Sequence, residues 1–169
     1  MVTISPLATL FEFEHFVNEG EQRWNSRNDE EITTVVVHHM AMTDYDCVPE
    51  VWRTREASAH YGIGPNGEIR AYVGEEKRAW HSGNGNSYSI GIECCNASMG
   101  PDWKVNEETV NSLIRLIQDI NLRYGRTMTI TGHKCVPGNA TECPGPSLTP
   151  RLSEIRQKVN GKEYEGKSI

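Results

Sequence analysis

The chain has 169 residues, of which 37% are hydrophobic, so its length and composition suit one domain with a modest core. A net charge of −6 argues against nucleic-acid binding, which rests on basic patches, and against electrostatic adhesion to an anionic membrane. No apolar run approaches the roughly 20 residues of a membrane span. The amino-terminal stretch MVTISPLATLFEFEHF lacks the basic start of a secretory signal, so we expect synthesis in the cytosol. We expect a monomer, with neither nucleic acid nor membrane as a partner.

The elements predicted in the first half of the chain are short. Apolar residues indicate a helix over 7–18, and the β-branched run TTVVVHH at 33–39 predicts a buried central strand. The first part of 48–61 has a helical pattern. A Pro-Asn-Gly turn in the middle of 61–73 predicts a β-hairpin.

The second half contains the clearest helix, at 106–125. Asn106 is a suitable capping residue, apolar side chains follow the helical period, and Gly125 ends the pattern. A strand is expected at 128–133, and a last helix is expected after Pro150.

This alternation of strands and helices predicts an α/β fold, a single domain with a central mixed β-sheet flanked by helices. Ligand sites in such sheets favour the ends of strands and the loops beyond them. We assign residues 1–32 to an amino-terminal segment packed on the domain, 33–160 to the domain itself, and 161–169 to a polar tail.

The strand SIGIEC at 89–94 has two different faces. Ile90, Ile92 and Cys94 share the apolar face, and burial is the expected state of that thiol. Glu93 lies on the opposite face, near a glycine that leaves room for a ligand.

Three residues combine the ligand types that zinc prefers: His39, His133 and Cys143. Their spacing alone does not separate a metal site from partly buried structural histidines. His38 and His39 are neighbours on one strand and therefore face opposite sides, so only one of them can join such a site. Periodicity does not choose between them.

Five cysteines are an odd number, so at least one is unpaired. Without a secretory signal, metal ligation or burial is the better expectation than a disulfide framework. Cys47, Cys95 and Cys135 receive no chemical role, and a disulfide that includes Cys47 remains an alternative for a protein that works outside the cell.

Five blocks occur in the order seen in the amidase-2 family, which includes phage endolysins and peptidoglycan recognition proteins. The blocks are VVVHHMAM, SAHYGIGPNGEI, AWHSGN, SIGIE and GHKCVPGNATECPG, and they run from about residue 33 to 148. The chain thus resembles zinc enzymes that cleave the amide between N-acetylmuramic acid and L-alanine. The resemblance implies an amidase-2-like fold, one Zn²⁺ per chain, and peptidoglycan as the partner.

Carried over by position, the resemblance assigns the metal ligands to His39, His133 and Cys143. Relatives that only bind peptidoglycan typically lack this cysteine, so its presence favours an enzyme. Glu93 in GIE becomes the candidate general base, in place of the usual tyrosine, whose position holds Ala59. The alternative for Glu93 is an ion pair or a loop cap.

Other site residues follow from the same blocks. His81 is assigned to the substrate groove and to the developing oxyanion, and Trp80 to an apolar plate for a sugar ring or a peptide. Thr141 stands where many members have a basic residue, and it is expected to help with the oxyanion. The loop between the last two ligands looks about two residues longer than usual, around Gly138 and Asn139.

The predicted activity is zinc-dependent hydrolysis of the muramoyl-L-alanine amide in the bacterial cell wall. If the protein comes from a phage, it would reach the wall through a pore or after lysis. One alternative is a non-catalytic peptidoglycan-binding module of the same fold. Another is a cysteine peptidase with Cys143 as its nucleophile.

Overall fold

A central mixed β-sheet organises the protein in the computed structural model, which describes residues 1–11 and 22–167, with side chains up to residue 161. The strands are β1 (Leu10–Phe11), β2 (Trp24–Ser26), β3 (Thr34–His39), β4 (Tyr61–Ile63), β5 (Ile69–Ala71), β6 (Lys77–Ala79), β7 (Ser89–Cys94) and β8 (Thr129–Gly132). The α-helices are α1 (Val48–Thr54), α2 (Glu107–Tyr124), α3 (Gly145–Leu148) and α4 (Leu152–Lys167). Short 3-10 helices lie at Tyr45–Cys47, Gly83–Gly85, His133–Cys135 and Thr149–Arg151.

The six strands of the main sheet have the order β1-β5-β4-β7-β3-β8. Strand β3 is parallel to both of its neighbours, β7 and β8, while β4 is parallel to β7 and antiparallel to β5. Strands β2 and β6 form a separate antiparallel pair. The predicted α/β fold, a single domain with a central mixed sheet flanked by helices, is confirmed.

Helix α2 shows how closely local signals follow the structure. Asn106 precedes its first turn, and Gly125 ends it with a left-handed φ of 64°. Such a backbone conformation suits glycine, which has no Cβ to clash. The hairpin formed by β4 and β5 is also present, and its Gly67 has a φ of 84° at the turn.

The chain ends of the domain differ from the prediction. Leu10 and Phe11 form β1, paired with β5, so the described part of 7–18 is not helical; the remainder of that prediction lies outside the described residues. The apolar pattern of this segment was too short to distinguish the period of a helix from that of a strand. Helix α4 continues to Lys167, through most of the segment assigned to a polar tail. Among the described helices, none combines the length and apolar character that crossing a membrane requires.

One face of the sheet forms the main hydrophobic core with α2 and α4. Val35 and Val37 of β3 point into it, as do Ile90 and Ile92 of β7. Cys94 is fully buried in the same cluster, as its strand face predicts. Since burial of one large aliphatic side chain stabilises by about 1.5–3 kcal/mol, this face is where most of the folding energy is gained.

The other face carries a second, smaller cluster, and it leaves room for polar groups. The cluster consists of Tyr45, Val48, Trp52, Ala59, Tyr72, Val73, Ala79 and Cys95. Because side chains alternate along a strand, His38 and Glu93 lie on this face rather than in the main core.

A buried carboxylate joins distant parts of the chain. Glu75 is fully buried, and its carboxylate accepts hydrogen bonds from Arg123 Nη2 at 2.6 Å and from the hydroxyls of Tyr61 at 2.5 Å and Tyr124 at 2.9 Å. Ser5 donates its backbone N–H to the oxygen of Tyr61, which ties the amino terminus to the same group. A buried charge of this kind is stable only while its partners remain in place.

We predict that Arg123→Met lowers the free energy of unfolding by about 3–5 kcal/mol, because the variant leaves the Glu75 carboxylate buried without its cation. Arg53→Met is the control, since Arg53 pairs on the surface with Glu50, and such a pair contributes about 0–1 kcal/mol. Urea denaturation followed by circular dichroism measures both. Equal losses in the two variants would contradict the role given to Glu75.

Candidate metal and active site

The carboxyl ends of three neighbouring strands bring the candidate site together. Strand β3 ends in His39, β7 ends in Cys94, and β8 leads directly into His133. The pairing of β3 with β7 sets His38 opposite Glu93. Since these strands are parallel, paired residues share a face of the sheet, and the two side chains are neighbours.

His38, His133 and Cys143 form one cluster of ligand atoms. One donor atom of each lies within 4.8 Å of the other two, and Cys143 Sγ is 3.4 Å from His38 Nδ1. The cluster therefore contains His38 where the sequence prediction named His39, while His133 and Cys143 are the residues predicted. His39, the ligand predicted from the sequence, lies outside this cluster.

His39 points to the opposite side of β3. Its Nδ1 accepts a hydrogen bond from the Asn96 amide at 3.2 Å, and its ring meets Trp103 edge to face. A Cβ at Gly145 would lie 2.7 Å from the His39 ring, so the ring fills the space beside that glycine. His39 thus packs against loop residues.

Two imidazole nitrogens and one thiolate are a suitable donor set for zinc, and three protein ligands leave one tetrahedral position open. Burial lowers the pKa of His38 well below its usual value, which keeps the imidazole neutral, as a metal ligand must be. Burial and the nearby Glu93 raise the pKa of the Cys143 thiol, so the isolated protein favours the thiol. A bound cation reverses that preference because it stabilises the thiolate.

Glu93 lies beside the cluster and lines the adjoining cleft. Its Oε1 is 3.8 Å from His38 Nδ1, and its side chain is 18% exposed. Burial raises the pKa of its carboxyl group to about 8 in the metal-free protein. A nearby cation favours the ionised form, so the carboxylate expected from the sequence depends on an occupied metal site.

His81 has a different position from the one predicted. Its Nδ1 is 2.9 Å from His38 Nε2, and its Nε2 is 3.2 Å from the Ser89 hydroxyl. Both ring nitrogens are therefore engaged, which leaves no N–H for the oxyanion contact expected of this residue. The absence of a side chain at Gly91 makes room for the ring, since a Cβ there would lie 2.5 Å from His81 Cγ.

A cleft of about 440 Å³ adjoins the cluster. Its size falls within the range of small-molecule sites, about 300–1,000 Å³. Trp80 lines it and donates its indole N–H to Asn25. The full lining is His39, Met40, Ala41, Met42, Val48, Val51, Trp52, Arg55, Ala57, Ser58, Trp80, His81, Glu93 and His133. The lining thus combines apolar side chains with Glu93 and His133.

Thr141 and Ala59 do not belong to the cleft lining. The Thr141 hydroxyl accepts a hydrogen bond from the Cys143 backbone N–H at 3.1 Å, so it shapes the loop that presents the thiol. Ala59 is fully buried in the second hydrophobic cluster. The five cysteines are all free thiols, so the alternative of a disulfide at Cys47 is not realised.

The sequence reasoning missed His38, Ser89 and Asn139. One signal for His38 was present: it shares a sheet face with Glu93 if the two strands pair in the observed register. Ser89, which contacts His81, and Asn139, which contacts His133, gave no signal, because both contacts depend on how the loops fold.

Comparison with known proteins gives this geometry a context. The model of the family described as N-acetylmuramoyl-L-alanine amidase matches residues 28–146. The N-acetylmuramoyl-L-alanine amidase LysC from Clostridium intestinale URNW is 26% identical, with a TM-score of 0.66, over 80% of this chain and 89% of that chain. The endolysin amidase LysCS from the same organism is also 26% identical, with a TM-score of 0.66, over 94% of this chain and 98% of that one.

Two further solved structures show similarity of fold. The catalytic domain of XlyA is 20% identical, with a TM-score of 0.69, over 89% of this chain and 97% of that chain. A selenomethionine derivative of AmpD is 23% identical, with a TM-score of 0.65, over 92% and 99%. No curated protein sequence gives a significant match.

The resemblance drawn from the five sequence blocks is confirmed, because the family model covers well over half of the chain and the solved structures share its fold. The chain belongs to the N-acetylmuramoyl-L-alanine amidase family of enzymes.

Proposed function

We propose that the protein is a zinc-dependent amidase that hydrolyses the bond between N-acetylmuramic acid and L-alanine in peptidoglycan. The observation that carries the proposal is the cluster of His38, His133 and Cys143 beside Glu93, at the edge of an open cleft. The cluster supplies ligands, the carboxylate supplies a base, and the cleft supplies space for a glycan or a peptide stem. Membership of the amidase family supports the same reaction.

His38, His133 and Cys143 are the proposed ligands of one Zn²⁺ per chain. When bound, zinc supplies Lewis acidity and lowers the pKa of a water molecule toward about 7. The Cys143 thiolate balances part of the added charge. Its position depends on the Thr141 hydroxyl, which holds the backbone N–H of the same residue.

Glu93 is the proposed general base and acid. Its carboxylate takes a proton from the attacking water as the oxygen bonds to the amide carbon. It then returns the proton to the nitrogen of L-alanine as the carbon–nitrogen bond breaks. Such proton transfer contributes about 10²–10⁴-fold to a rate. The Thr141 hydroxyl can donate a hydrogen bond while its oxygen accepts one, so its oxyanion role stays a prediction.

The proposed contacts for the substrate are Trp80 and the apolar residues of the cleft lining, such as Val48, Val51 and Trp52. An indole face offers a flat apolar surface to a sugar ring or a peptide side chain, and its N–H is already held by Asn25. The cell wall is the proposed place of action, with release through a pore or lysis if the protein is phage-derived.

The cysteine peptidase alternative is disfavoured by the environment of Cys143. A nucleophilic cysteine requires a lowered pKa, whereas burial and Glu93 raise the pKa of this thiol. The non-catalytic binding module remains the alternative that experiment must separate.

Digestion of purified peptidoglycan tests the activity itself. We expect the zinc-loaded protein to release free amino termini of L-alanine, detected by dinitrophenyl labelling and mass spectrometry of the muropeptides. Chelation should abolish the release, and added zinc should restore it. Sedimentation of the protein with the wall, without any new amino termini, would instead identify a binding module.

The choice between the neighbouring histidines is tested by metal content. We predict that His38→Ala and Cys143→Ser lose bound zinc, because each removes a donor atom from the cluster. His39→Ala is the matched control and should keep about one zinc per chain, since its ring faces away from the cluster. Inductively coupled plasma mass spectrometry gives the stoichiometry. Zinc lost from His39→Ala and kept by His38→Ala would reverse the assignment.

Glu93→Gln should retain zinc but lose about 10²–10⁴-fold in kcat, because the amide cannot accept the proton. Glu142→Gln is a control of the same type, since Glu142 is exposed and pairs with Lys134 on the surface. Initial rates on purified peptidoglycan and parallel zinc analysis give both quantities. A Glu93→Gln enzyme with nearly the original rate would exclude this residue as the base.

A further inference from the structure

Each histidine of the candidate metal cluster has its Nε2 held by a chain of side chains. His38 Nε2 meets His81, which meets Ser89. His133 Nε2 meets Asn139 Oδ1 at 2.9 Å. Both chains end on backbone carbonyls of one short segment, Ser82–Gly85.

In the hydrogen-bond chain from His38 to Ser89, the Gly85 carbonyl determines which group donates at each step. The Ser89 hydroxyl donates to the Gly85 carbonyl at 2.5 Å, so its oxygen is the acceptor for the His81 Nε2–H. Burial disfavours a charged ring, and a neutral His81 that is protonated at Nε2 can only accept at Nδ1. The proton between the two rings therefore belongs to His38 Nε2. His38 Nδ1, the atom 3.4 Å from Cys143 Sγ, is left unprotonated.

The hydrogen bonds from His133 through Asn139 to Ser82 fix a proton position in the same way. The Asn139 amide nitrogen donates to the Ser82 carbonyl at 2.9 Å, which fixes the orientation of the side chain. Its Oδ1 then faces His133 and can only accept, so His133 carries its proton on Nε2. Nδ1 is again the ring nitrogen available to a ligand.

The segment Ser82–Gly85, whose carbonyls accept the last hydrogen bond of each chain, is itself held in place by hydrogen bonds. Asn86 Oδ1 accepts hydrogen bonds from the backbone N–H groups of His81 at 2.9 Å and Ser82 at 2.7 Å. The Gly85 N–H also donates to the Ser82 carbonyl at 3.1 Å. A fixed acceptor at the end of each chain makes the proton positions a consequence of the fold.

We propose that Ser89, through His81, and Asn139 are positioning residues that hold His38 and His133 in the Nε2–H tautomer, with both Nδ1 atoms directed to the metal. The proposal rests on the zinc site proposed above for its purpose, but the tautomers are a property of the metal-free protein. Hydrogen bonds of this kind orient a histidine ligand and raise its basicity. Asn139 lies six residues after His133, in the loop that leads to Cys143.

The variants separate these contacts from ordinary packing. Ser89→Ala removes the acceptor for His81, and Asn139→Ala removes the acceptor for His133. Ser112→Ala is the matched control, because Ser112 is also buried and its hydroxyl also donates to a carbonyl, that of Gly67 at 2.6 Å.

Two measurements test the proposal. Long-range ¹H–¹⁵N correlation spectra of the metal-free protein report which ring nitrogen carries each proton. Competition with a chromogenic chelator gives the affinity for Zn²⁺. We expect Nε2–H tautomers for both histidines in the wild type. We expect affinities about 10–100-fold weaker in Ser89→Ala and Asn139→Ala, and wild-type affinity in Ser112→Ala.

An Nδ1–H tautomer at either histidine of the wild-type protein would overturn the proposal without any variant. Unchanged zinc affinity in both Ser89→Ala and Asn139→Ala would overturn it as well. A wild-type protein with both Nε2–H tautomers but without zinc affinity would refute the metal site and leave the tautomer assignment standing. The two proposals therefore fail in distinguishable ways.

Discussion

The register between β3 and β7 is the constraint on which the site depends. It sets His38 opposite Glu93 and Val36 opposite Gly91. The first pair puts His38, a proposed ligand, beside a carboxylate, and the second leaves space for the His81 ring. Because side chains alternate along a strand, a slip of one residue would turn His38 into the core and bring His39 to the site. The apolar residues on the core face, fully buried against the helices, oppose such a slip.

The hydrophobic core lies on one face of the sheet, and the candidate site lies on the other. One face is filled by helices α2 and α4, and its packing holds the strands in register. The other face buries polar groups, which is costly unless they are hydrogen bonded or bind an ion. That cost is visible in the raised pKa of Glu93 and the lowered pKa of His38, both caused first by burial. A cation at the cluster would stabilise the ionised forms of both Glu93 and Cys143. Metal binding would thus be coupled to the protonation of Glu93, the proposed base.

Much of the fold was predictable from local patterns. The strand 89–94, the helix ending at Gly125 and the Pro-Asn-Gly hairpin all follow from periodicity and turn chemistry, and each is present. The strand at Leu10–Phe11 was not predictable, since two residues show no period and owe their conformation to pairing with β5. In the site, His133, Cys143 and Glu93 were predicted and lie together, whereas His81 proved to be bonded through both ring nitrogens.

The sequence by itself determined the fold class and the family, which follow from ordered blocks and from the alternation of apolar and polar positions. It also named His133, Cys143 and Glu93, which the fold brings together. It also determined that only one of the two adjacent histidines could be a ligand, since neighbours on a strand face opposite sides. Only the tertiary structure showed which histidine lies with His133 and Cys143. The pairing of β3 with β7 and the contact of His38 with His81 place His38 there, and both join segments that are far apart in the chain. Such contacts leave no mark on the local pattern of either segment.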